Sequence, residues 1–525
     1  MKKILQNKYY LYMTEFFSGV SLMAVELGAS RLLAPYFSSS QIVWTIIIGT
    51  IMIAMALGNV YGGKSADKNP NPDVLYKRIL IAAVWIAAIP FAGKYVILGV
   101  SGLLVFTIST NFLIIAAFIS CMIIFVYPLF LLGTVTPSLV KYTCDSLDDS
   151  GKTVGKLGAC NTIGSIIGTF LPTFVTIPAV GTAVTFIIFS GILVLIGLAY
   201  FISDRHFGKV CIISTILFIL FTVLGCRSSF AFWEKGLAYE GESVYNYLQV
   251  KDDEEKTVLS TNVLFGVQSV KMKSDSLTGL YYDYDLAAPV ISGSKEPDVL
   301  ILGNCAGTFA GQCKKYFPDS KVRGVEIDGK ITELATRYFG MPSSIEVTEY
   351  DGRAFLAADK NLYDVIQVDA YQDITIPFQM SSVEFFTLVK DHLKDSGVMV
   401  VNMNMHSDGE GSINEYLCDT ICYVFGEAYT ADVTGSTNRE LFACKNGNAK
   451  ERLLENLSAV EDTELRAMLQ RTGSQMARYE AGMSILTDDK APVEVLGMKM
   501  IDELIKDELA WYKQYSVKEL IAMLL

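Results

Sequence analysis

Histidine is scarce in this 525-residue chain, which contains only His206, His392 and His406. Three histidines spread so widely do not favour a histidine-based catalytic centre or metal site, and no metal is predicted. The ten cysteines include no pair with CxxC spacing, and Cys418 and Cys422 stand four apart with no histidine nearby. We therefore interpret the cysteines as reduced, structural thiols.

The C-terminal part of the chain has no excess of basic residues, and this limits the classes of partner that it can bind. Residues 1–230 carry 15 Lys and Arg against 8 Asp and Glu, whereas the remainder carries 28 against 47. Proteins that bind nucleic acids present basic surfaces, so no nucleic-acid partner is predicted. The acidic remainder suits cationic substrates such as amines, although an acidic surface also serves solubility alone.

Long apolar runs are abundant in the first part of the chain, and the whole sequence has a mean hydropathy of +0.37. A helix needs about 20 apolar residues to cross the roughly 30 Å hydrocarbon layer of a bilayer. Runs of this length occur at residues 10–33, 41–61, 79–107, 112–134, 158–178, 182–202 and 209–226. They predict a multi-pass membrane domain over residues 1–230, with about seven spans in the lipid bilayer of the cell membrane.

Positive charges flank alternate apolar runs, which places the N-terminus in the cytoplasm. Seven spans would then put the soluble part outside the cell, where a cytosolic co-substrate is absent. The run at 79–107 contains Pro90, Gly93 and Lys94, so it is either one kinked helix or two shorter spans. Two spans, or a last run that does not cross the membrane, would return the soluble part to the cytoplasm. These two alternatives and an external soluble part all stay open.

Glu26 and Arg31 are ionisable residues within the first apolar run. Such groups are costly in a membrane and are usually functional. The pair is therefore a candidate for a transport or substrate-pocket role. An ion pair that fixes helix packing is the alternative.

The sequence becomes less apolar after Trp233 and divides into three parts. Residues 240–294 alternate apolar and polar side chains, which predicts a small antiparallel β-domain. Residues 295–445 alternate short buried strands with helices, which predicts a parallel, doubly wound α/β domain. Residues 446–525 are predicted to be a mostly helical C-terminal extension.

Acidic residues follow successive predicted strands of the α/β domain. Ligands of open α/β sheets bind beyond the carboxyl ends of the strands, so acids at these positions face substrate rather than core. The first strand leads into a glycine turn with Gly303 and Gly307, which allows the backbone to approach a nucleotide closely. The acids at the strand ends are Glu326, Asp328, Asp351, Asp369 and Asp373.

Several motifs give the chain a resemblance to membrane-fused proteins of the spermidine synthase (polyamine aminopropyltransferase) type, over nearly its whole length. In the membrane part these motifs lie at 26–37, 58–67 and 161–164. In the soluble part they are Tyr245-Asn246, Gly266-Val-Gln-Ser269, Val325-Glu-Ile-Asp328, Asp351-Gly-Arg-Ala-Phe355, Asp364-Val-Ile-Gln-Val-Asp369 and Leu486-Thr-Asp-Asp-Lys-Ala-Pro-Val-Glu494. The resemblance implies a Rossmann-like, methyltransferase-type core preceded by a small β-domain.

The resemblance also implies a nucleoside donor, decarboxylated S-adenosylmethionine, as co-substrate, with no permanently bound cofactor. Glu326 is similar to the acid that holds the ribose hydroxyls of this donor, and Asp351 to the residue that reads its adenine amino group. The donor site would be completed by Gly303, Gly307 and Asp328.

The implied acceptor is a diamine such as putrescine. Asp369 matches the catalytic aspartate that orients and deprotonates the attacking amine. Gln268 and Tyr282 are expected to line the substrate pocket, and Asp373 to bind the second charge of the amine. The resemblance is also compatible with assembly as a homodimer.

Two positions depart from the family pattern. Ala306 stands where aminopropyltransferases carry an acid for the donor's amino group, and Tyr281-Tyr-Asp283 stands for a Tyr-His-Glu triplet. The aminopropyltransferase interpretation is therefore accompanied by two others. One is a methyltransferase-like enzyme that uses intact S-adenosylmethionine, and the other is a polyamine transporter or sensor with a non-catalytic synthase-like domain.

Overall fold

The structure is a computed structural model, and it describes residues 7–38, 40–105, 107–108, 111–143, 150–203, 208–234, 236–263, 266–371, 376–404 and 409–501. The described residues form two compact units. The helical unit lies within Met1–Lys235 and Gly241–Tyr247, and the sheet unit within Gly236–Glu240 and Leu248–Leu525.

The helical unit consists of long apolar helices joined by short connections. They are α1 (Lys8–Phe37), α2 (Gln41–Lys68), α3 (Pro72–Val105), α4 (Phe112–Gly133), α5 (Val135–Thr143), α6 (Ser150–Leu171), α7 (Ile177–Ser203) and α8 (Lys209–Gly225). Among the described residues, five helical segments are long and apolar enough to cross a membrane: Lys8–Phe37, Gln41–Lys68, Pro72–Val105, Phe112–Thr143 and Ser150–Ser203.

The predicted runs differ from these segments in how they are joined. The run at 79–107 is one helix, α3, which continues through Pro90. The runs at 158–178 and 182–202 belong to one 54-residue helical segment, in which the backbone departs from helical geometry at Gly181. The last run forms α8, which has only 17 residues. The break at Gly181 lies between the runs at 158–178 and 182–202, and a 54-residue helix would be far longer than the roughly 30 Å hydrocarbon layer. The five segments of spanning length therefore contain the first six predicted runs, and the number of spans stays a prediction.

Glycines let α1 and α6 pack at backbone distance. A Cβ atom at Gly164 would lie 2.1 Å from the carbonyl oxygen of Phe16, and one at Gly168 would lie 2.2 Å from that of Val20. In a membrane the hydrophobic effect does not drive helices together, because lipid is as apolar as the helix surface. Small residues promote association there by letting the helices pack closely.

The sheet unit begins with a small sheet and two short helices. The strands, in the spatial order β1-β2-β3-β4, are β1 (Leu237–Glu242), β2 (Tyr247–Asp252), β3 (Lys256–Ser260) and β4 (Ser269–Met272). Strands β2, β3 and β4 pair antiparallel, as the alternating sequence predicts. The predicted β-domain, residues 240–294, is not β-structure throughout, because its last part forms α9 (Tyr281–Asp285) and α10 (Ala287–Ser292).

An eight-stranded sheet forms the centre of the sheet unit. Its strands are β5 (Asp298–Leu302), β6 (Lys321–Glu326), β7 (Glu346–Glu349), β8 (Tyr363–Val368), β9 (Leu393–Met403), β10 (Tyr429–Asp432), β11 (Arg439–Cys444) and β12 (Ala477–Arg478). The spatial order is β12-β10-β11-β9-β8-β5-β6-β7. Strands β5 to β9 are parallel, and the chain order reverses between β5 and β8. Ligands of doubly wound sheets bind at such a reversal point.

Helices and apolar side chains cover both faces of this sheet. The helices that follow its strands are α11 (Thr308–Tyr316), α12 (Gly329–Leu334), α13 (Gly352–Ala358), α14 (Val383–Asp391) and α15 (Ile413–Phe425). Val299 and Ile301 of β5 belong to one hydrophobic core, whereas Leu300 and Leu302 belong to the other. Successive residues of a strand point to opposite faces, so a strand buried on both faces is apolar throughout.

Residues 446–525 are predicted to be mostly helical, and residues 502–525 lie outside the described residues. Among residues 446–501, residues 493–501 are helical, as are α16 (Ala449–Asn456) and α17 (Thr463–Gln475). The edge strand β12 follows, and it pairs antiparallel with β10. Strands β10 and β11 were also not predicted. Their antiparallel pairing with the parallel strands extends the sheet beyond β9.

Candidate active site

Asp369 lies directly after β8, on the edge of the sheet where the parallel strands end. Its Oδ2 accepts a hydrogen bond from the Tyr281 hydroxyl at 2.7 Å, and its Oδ1 accepts one from Asn402 Nδ2 at 3.0 Å. Burial raises the pKa of Asp369 to about 7, although both hydrogen bonds act to lower it. A carboxylate that is oriented by hydrogen bonds and has a pKa near neutrality is suited to general base catalysis.

The glycine turn after β5 passes beside Asp369. Gly303 has a φ of 93°, and a Cβ atom there would lie 2.4 Å from the backbone oxygen of Asp369. Gly307 has a φ of 78°, and a Cβ atom there would lie 3.0 Å from Met341 Sδ. Cys305, between the two glycines, also has a positive φ, of 46°. Non-glycine residues rarely adopt this conformation, so the turn holds backbone strain at the site.

Glu326 at the end of β6 holds the glycine turn in place. Its Oε2 accepts a hydrogen bond from the Cys305 backbone nitrogen at 2.8 Å, and its Oε1 accepts one from the Asp328 nitrogen at 3.0 Å. Burial raises the pKa of Glu326 to about 7, and these backbone hydrogen bonds act against the increase. Desolvation raises the pKa of the half-buried Cys305 thiol, and the charges of Glu326 and Asp369 raise it further, so this turn lies within the field of both acids.

Asp328 and Asp351 cap helices. Asp328 is buried, and its Oδ1 accepts a hydrogen bond from the Lys330 nitrogen at the start of α12. Asp351 is half-buried and accepts one from the Ala354 nitrogen at the start of α13. A capping aspartate satisfies a backbone donor that the helix itself leaves free.

Two sequence motifs that are far apart in the chain meet next to Asp351. Arg353 donates two hydrogen bonds to the Asp488 carboxylate, at 2.7 and 2.6 Å. Asp488 also accepts a hydrogen bond from the Ser382 hydroxyl at 2.5 Å. The motif at 486–494 therefore anchors the loop that presents Asp351.

Gln268 and Tyr282 meet on the side of the small sheet. The Tyr282 hydroxyl donates a hydrogen bond to the backbone oxygen of Gln268 at 2.9 Å, and Gln268 is half-buried. The rings of Tyr281 and Tyr282 lie 3.9 Å apart at their centroids. Of the two tyrosines, Tyr281 is the one that donates a hydrogen bond to Asp369, and the substrate-pocket role of Tyr282 stays a prediction. Asp373, the second candidate amine ligand, lies outside the described residues.

Asn402 is a site residue that sequence reasoning missed. It lies near the end of β9, the strand beside β8, and its side chain is held by Asn438 Nδ2 at 2.8 Å. Its position at a strand end was visible in the sequence.

In the helical unit, the candidates Glu26 and Arg31 are both half-buried on α1. Arg31 donates a hydrogen bond to the backbone oxygen of Val244. The fully buried acid of α1 is Glu15, whose Oε1 accepts hydrogen bonds from Thr136 at 2.5 Å and Asn161 at 2.9 Å. Glu15 thus links three helices, and the sequence did not distinguish it from its neighbours.

Comparison with known proteins places this site in a family. The model of the spermine/spermidine synthase domain matches residues 282–427. A probable polyamine aminopropyl transferase of Bifidobacterium longum is 53% identical over 334 residues, which are 60% of this chain and 75% of the relative. The chain belongs to the polyamine aminopropyltransferase family. A polyamine aminopropyltransferase of Vibrio vulnificus is 25% identical over 303 residues, which are 54% of this chain and 97% of that protein.

Solved structures similar to this aminopropyltransferase family member include two synthases. A probable spermidine synthase from Corynebacterium glutamicum has a TM-score of 0.36 at 20% identity and covers 48% of this chain and 98% of its own. The spermidine synthase of Thermotoga maritima has a TM-score of 0.37 at 18% identity, with 44% and 83% covered.

Ala306 and Tyr282 differ from the aminopropyltransferase pattern that the resemblance describes. Ala306 is buried and apolar, and its backbone nitrogen donates a hydrogen bond to Ser269 Oγ at 3.0 Å. The turn between Gly303 and Gly307 therefore places no carboxylate at position 306.

Proposed function

We propose that this protein is a membrane-anchored aminopropyltransferase of the spermidine synthase type. It transfers the aminopropyl group of decarboxylated S-adenosylmethionine to a diamine such as putrescine. The observation that carries the proposal is the Asp369 carboxylate, held by Tyr281 and Asn402 beside the glycine turn of a family member. Its pKa of about 7 suits a group that must take a proton from an ammonium ion.

The chemistry requires one proton transfer and one displacement. The amine arrives as an ammonium ion, which Asp369 attracts and deprotonates. The freed nitrogen lone pair attacks the methylene carbon bound to the donor's sulfonium. As the new C–N bond forms, the C–S bond breaks, its electron pair returns to sulfur, and a neutral thioether nucleoside leaves.

In this proposal the donor lies across the ends of β5, β6 and β7. Gly303 and Gly307 let the backbone approach it, and Glu326 accepts hydrogen bonds from the ribose hydroxyls. Asp351 reads the adenine amino group. Asp328 supports the site by capping α12 next to Glu326.

The acceptor lies between Asp369 and the small sheet. Gln268 and Tyr282 form one wall of its pocket, and Asp373 is proposed to bind the distal ammonium. Carboxylates suit this role because the diamine is a dication at neutral pH.

The helical unit is proposed to anchor the enzyme as a multi-pass protein in the cell membrane. The five apolar segments of spanning length support this placement. Protease accessibility on intact cells would show which side the sheet unit faces. The homodimer remains a prediction, which light scattering of the detergent-solubilised protein would test.

The activity test is a direct assay of the full chain in detergent. The protein is incubated with putrescine and either decarboxylated or intact S-adenosylmethionine, and products are identified by mass spectrometry. Spermidine is expected with the decarboxylated donor only. Asp369→Asn should abolish turnover while donor binding persists, and Asp395→Asn, at an exposed aspartate near the start of β9, serves as the matched control.

A methylated product from the intact donor would favour the methyltransferase alternative, for which Ala306 is the supporting observation. Turnover with neither donor, together with polyamine binding or uptake, would instead favour the transporter or sensor.

A further inference from the structure

A second set of polar side chains lies buried beneath the Asp369 site. Asp285 and Glu440 have no exposed surface, and Gln367 is 1% exposed. Gln367 Nε2 donates a hydrogen bond to Asp285 Oδ2 at 2.5 Å. Apart from the interaction of the two carboxyl groups with each other, the other oxygen of Asp285 and both oxygens of Glu440 have no hydrogen-bond partner in the described part of the chain. Burial of this kind is costly unless the carboxyl groups are neutral.

The buried set repeats the arrangement of the site above it, because the same elements supply both. Helix α9 supplies Tyr281 to the site and Asp285, one turn later, to the buried set. Strand β8 supplies Asp369 and, two residues earlier on the same face, Gln367.

Asn402 of the site and Glu440 of the buried set correspond in the same way, but they come from the neighbouring strands β9 and β11. Asn402 of β9, which holds Asp369, is the direct cross-strand partner of Glu440 of β11. A change in the side chains of the buried set can therefore displace Tyr281, Asp369 and Asn402, because each is joined to that set by a helical turn, two residues of chain or a strand pair.

The charged and titratable groups that face Asp285 and Glu440 are all acidic or neutral. Asp285 faces Asp283, Asp369, Tyr282 and Cys313. Glu440 faces Asp369 and Tyr371. In the described ranges neither carboxyl forms an ion pair with a lysine or arginine.

The pKa values follow from this environment. Burial raises the pKa of Asp285 to about 8, although the hydrogen bond from Glu440 lowers it. Burial and the neighbouring Asp285 raise the pKa of Glu440 well above its usual range. Buried carboxyls that face one another retain protons rather than carry adjacent charges.

We propose that Asp285 and Glu440 are held protonated as a hydrogen-bonded acid pair and act as positioning residues for Asp369. Asp369 is then the one carboxyl of the three that takes up and releases the proton of the reaction. This inference rests on the proposed aminopropyl transfer, and it explains why an amine site tolerates two further acids directly beneath its base.

The activity test compares a neutral polar variant with an apolar one. Asp285→Asn with Glu440→Gln mimics the protonated pair. It should keep kcat within about threefold of the parent and leave the acid limb of the pH–kcat/KM profile in place. Asp285→Leu with Glu440→Met removes the contact to Gln367 and should lower kcat by at least about tenfold with little change in KM. If the acid limb of the neutral variant moves down by about one pH unit, the pair was ionised and the proposal is wrong.

A second measurement does not depend on turnover. Groups with raised folded-state pKa values bind more protons when folded, so the melting temperature should fall as the pH rises from about 5 to 9. Among the described residues of the sheet unit, the carboxyls with raised pKa values are Asp285, Glu326, Asp369 and Glu440, so the neutral double variant should lose at least half of this unit's pH dependence. An unchanged pH dependence would refute the acid pair. Absence of aminopropyl transfer would refute the proposed function and leave this result interpretable.

Discussion

The backbones of Gly303 and Asp369 meet so closely that a Cβ atom on Gly303 would lie 2.4 Å from the Asp369 carbonyl oxygen. The glycine turn after β5 and the backbone of Asp369 after β8 are thus in direct contact across the point where the strand order reverses. Because Gly303 has no side chain, the glycine turn can lie this close to Asp369.

Gly303→Ala should therefore displace Asp369 and remove activity. We expect a loss of at least about 3 kcal/mol in the free energy of unfolding, since both a positive φ and a backbone clash oppose the new methyl group. Gly426→Ala is the matched control. Gly426 has nearly the same φ, 91°, but open space around its Cβ position. Thermal unfolding and kcat should show a small cost in the control, and equal effects would show that the clash is unimportant.

Tyr281→Phe should move the acid limb of the activity profile to higher pH. The Tyr281 hydroxyl donates to Asp369 and lowers its pKa, so its removal leaves the carboxylate less stabilised and raises that pKa from about 7. More of the base is then protonated at neutral pH. A pH series of kcat/KM would measure the shift, and Tyr282→Phe, which loses a contact to a backbone carbonyl instead, provides the comparison. A shift to lower pH would contradict the role of Tyr281.

Glu326→Gln should weaken donor binding by about ten- to a hundredfold. The variant loses the charged partner proposed for the ribose hydroxyls, and such hydrogen bonds contribute about 1.5–3 kcal/mol. Calorimetric titration with a thioether nucleoside would measure this loss. Asp328→Asn should bind almost normally, because asparagine can also cap α12. If both variants bind equally well, Glu326 does not contact the donor.

Gly164→Ala should destabilise the helical unit without changing the chemistry of the site. Its methyl group would lie 2.1 Å from the Phe16 carbonyl and force α1 and α6 apart. Gly158→Ala on the same helix has open space around it and should behave like the parent. Thermal aggregation of the detergent-solubilised protein would measure the difference, which we expect to be about 1–3 kcal/mol in the free energy of unfolding. Equal stability of the two variants would argue against close contact.

The apolar runs and the parallel strands were predictable because both have strong local signals. A span shows itself by length and hydropathy, and β5, β6 and β8 each read as short apolar segments that end in glycine or acid. Asp369 was predictable from its position after β8. The antiparallel strands β10 and β11 were not, since their pairing depends on contacts with β9 that are distant in sequence.

The sequence was enough to indicate which residues could do chemistry, namely the acids at the ends of β6, β7 and β8, the glycine turn after β5 and the family motifs. Which of these residues lie together depended on the tertiary structure. Tyr281 rather than Tyr282 contacts Asp369, Asn402 joins it from the next strand, and Asp285 meets Glu440 beneath it. These choices depend on side-chain direction and cross-strand register, which are fixed when elements pack and not by the spacing of residues along the chain.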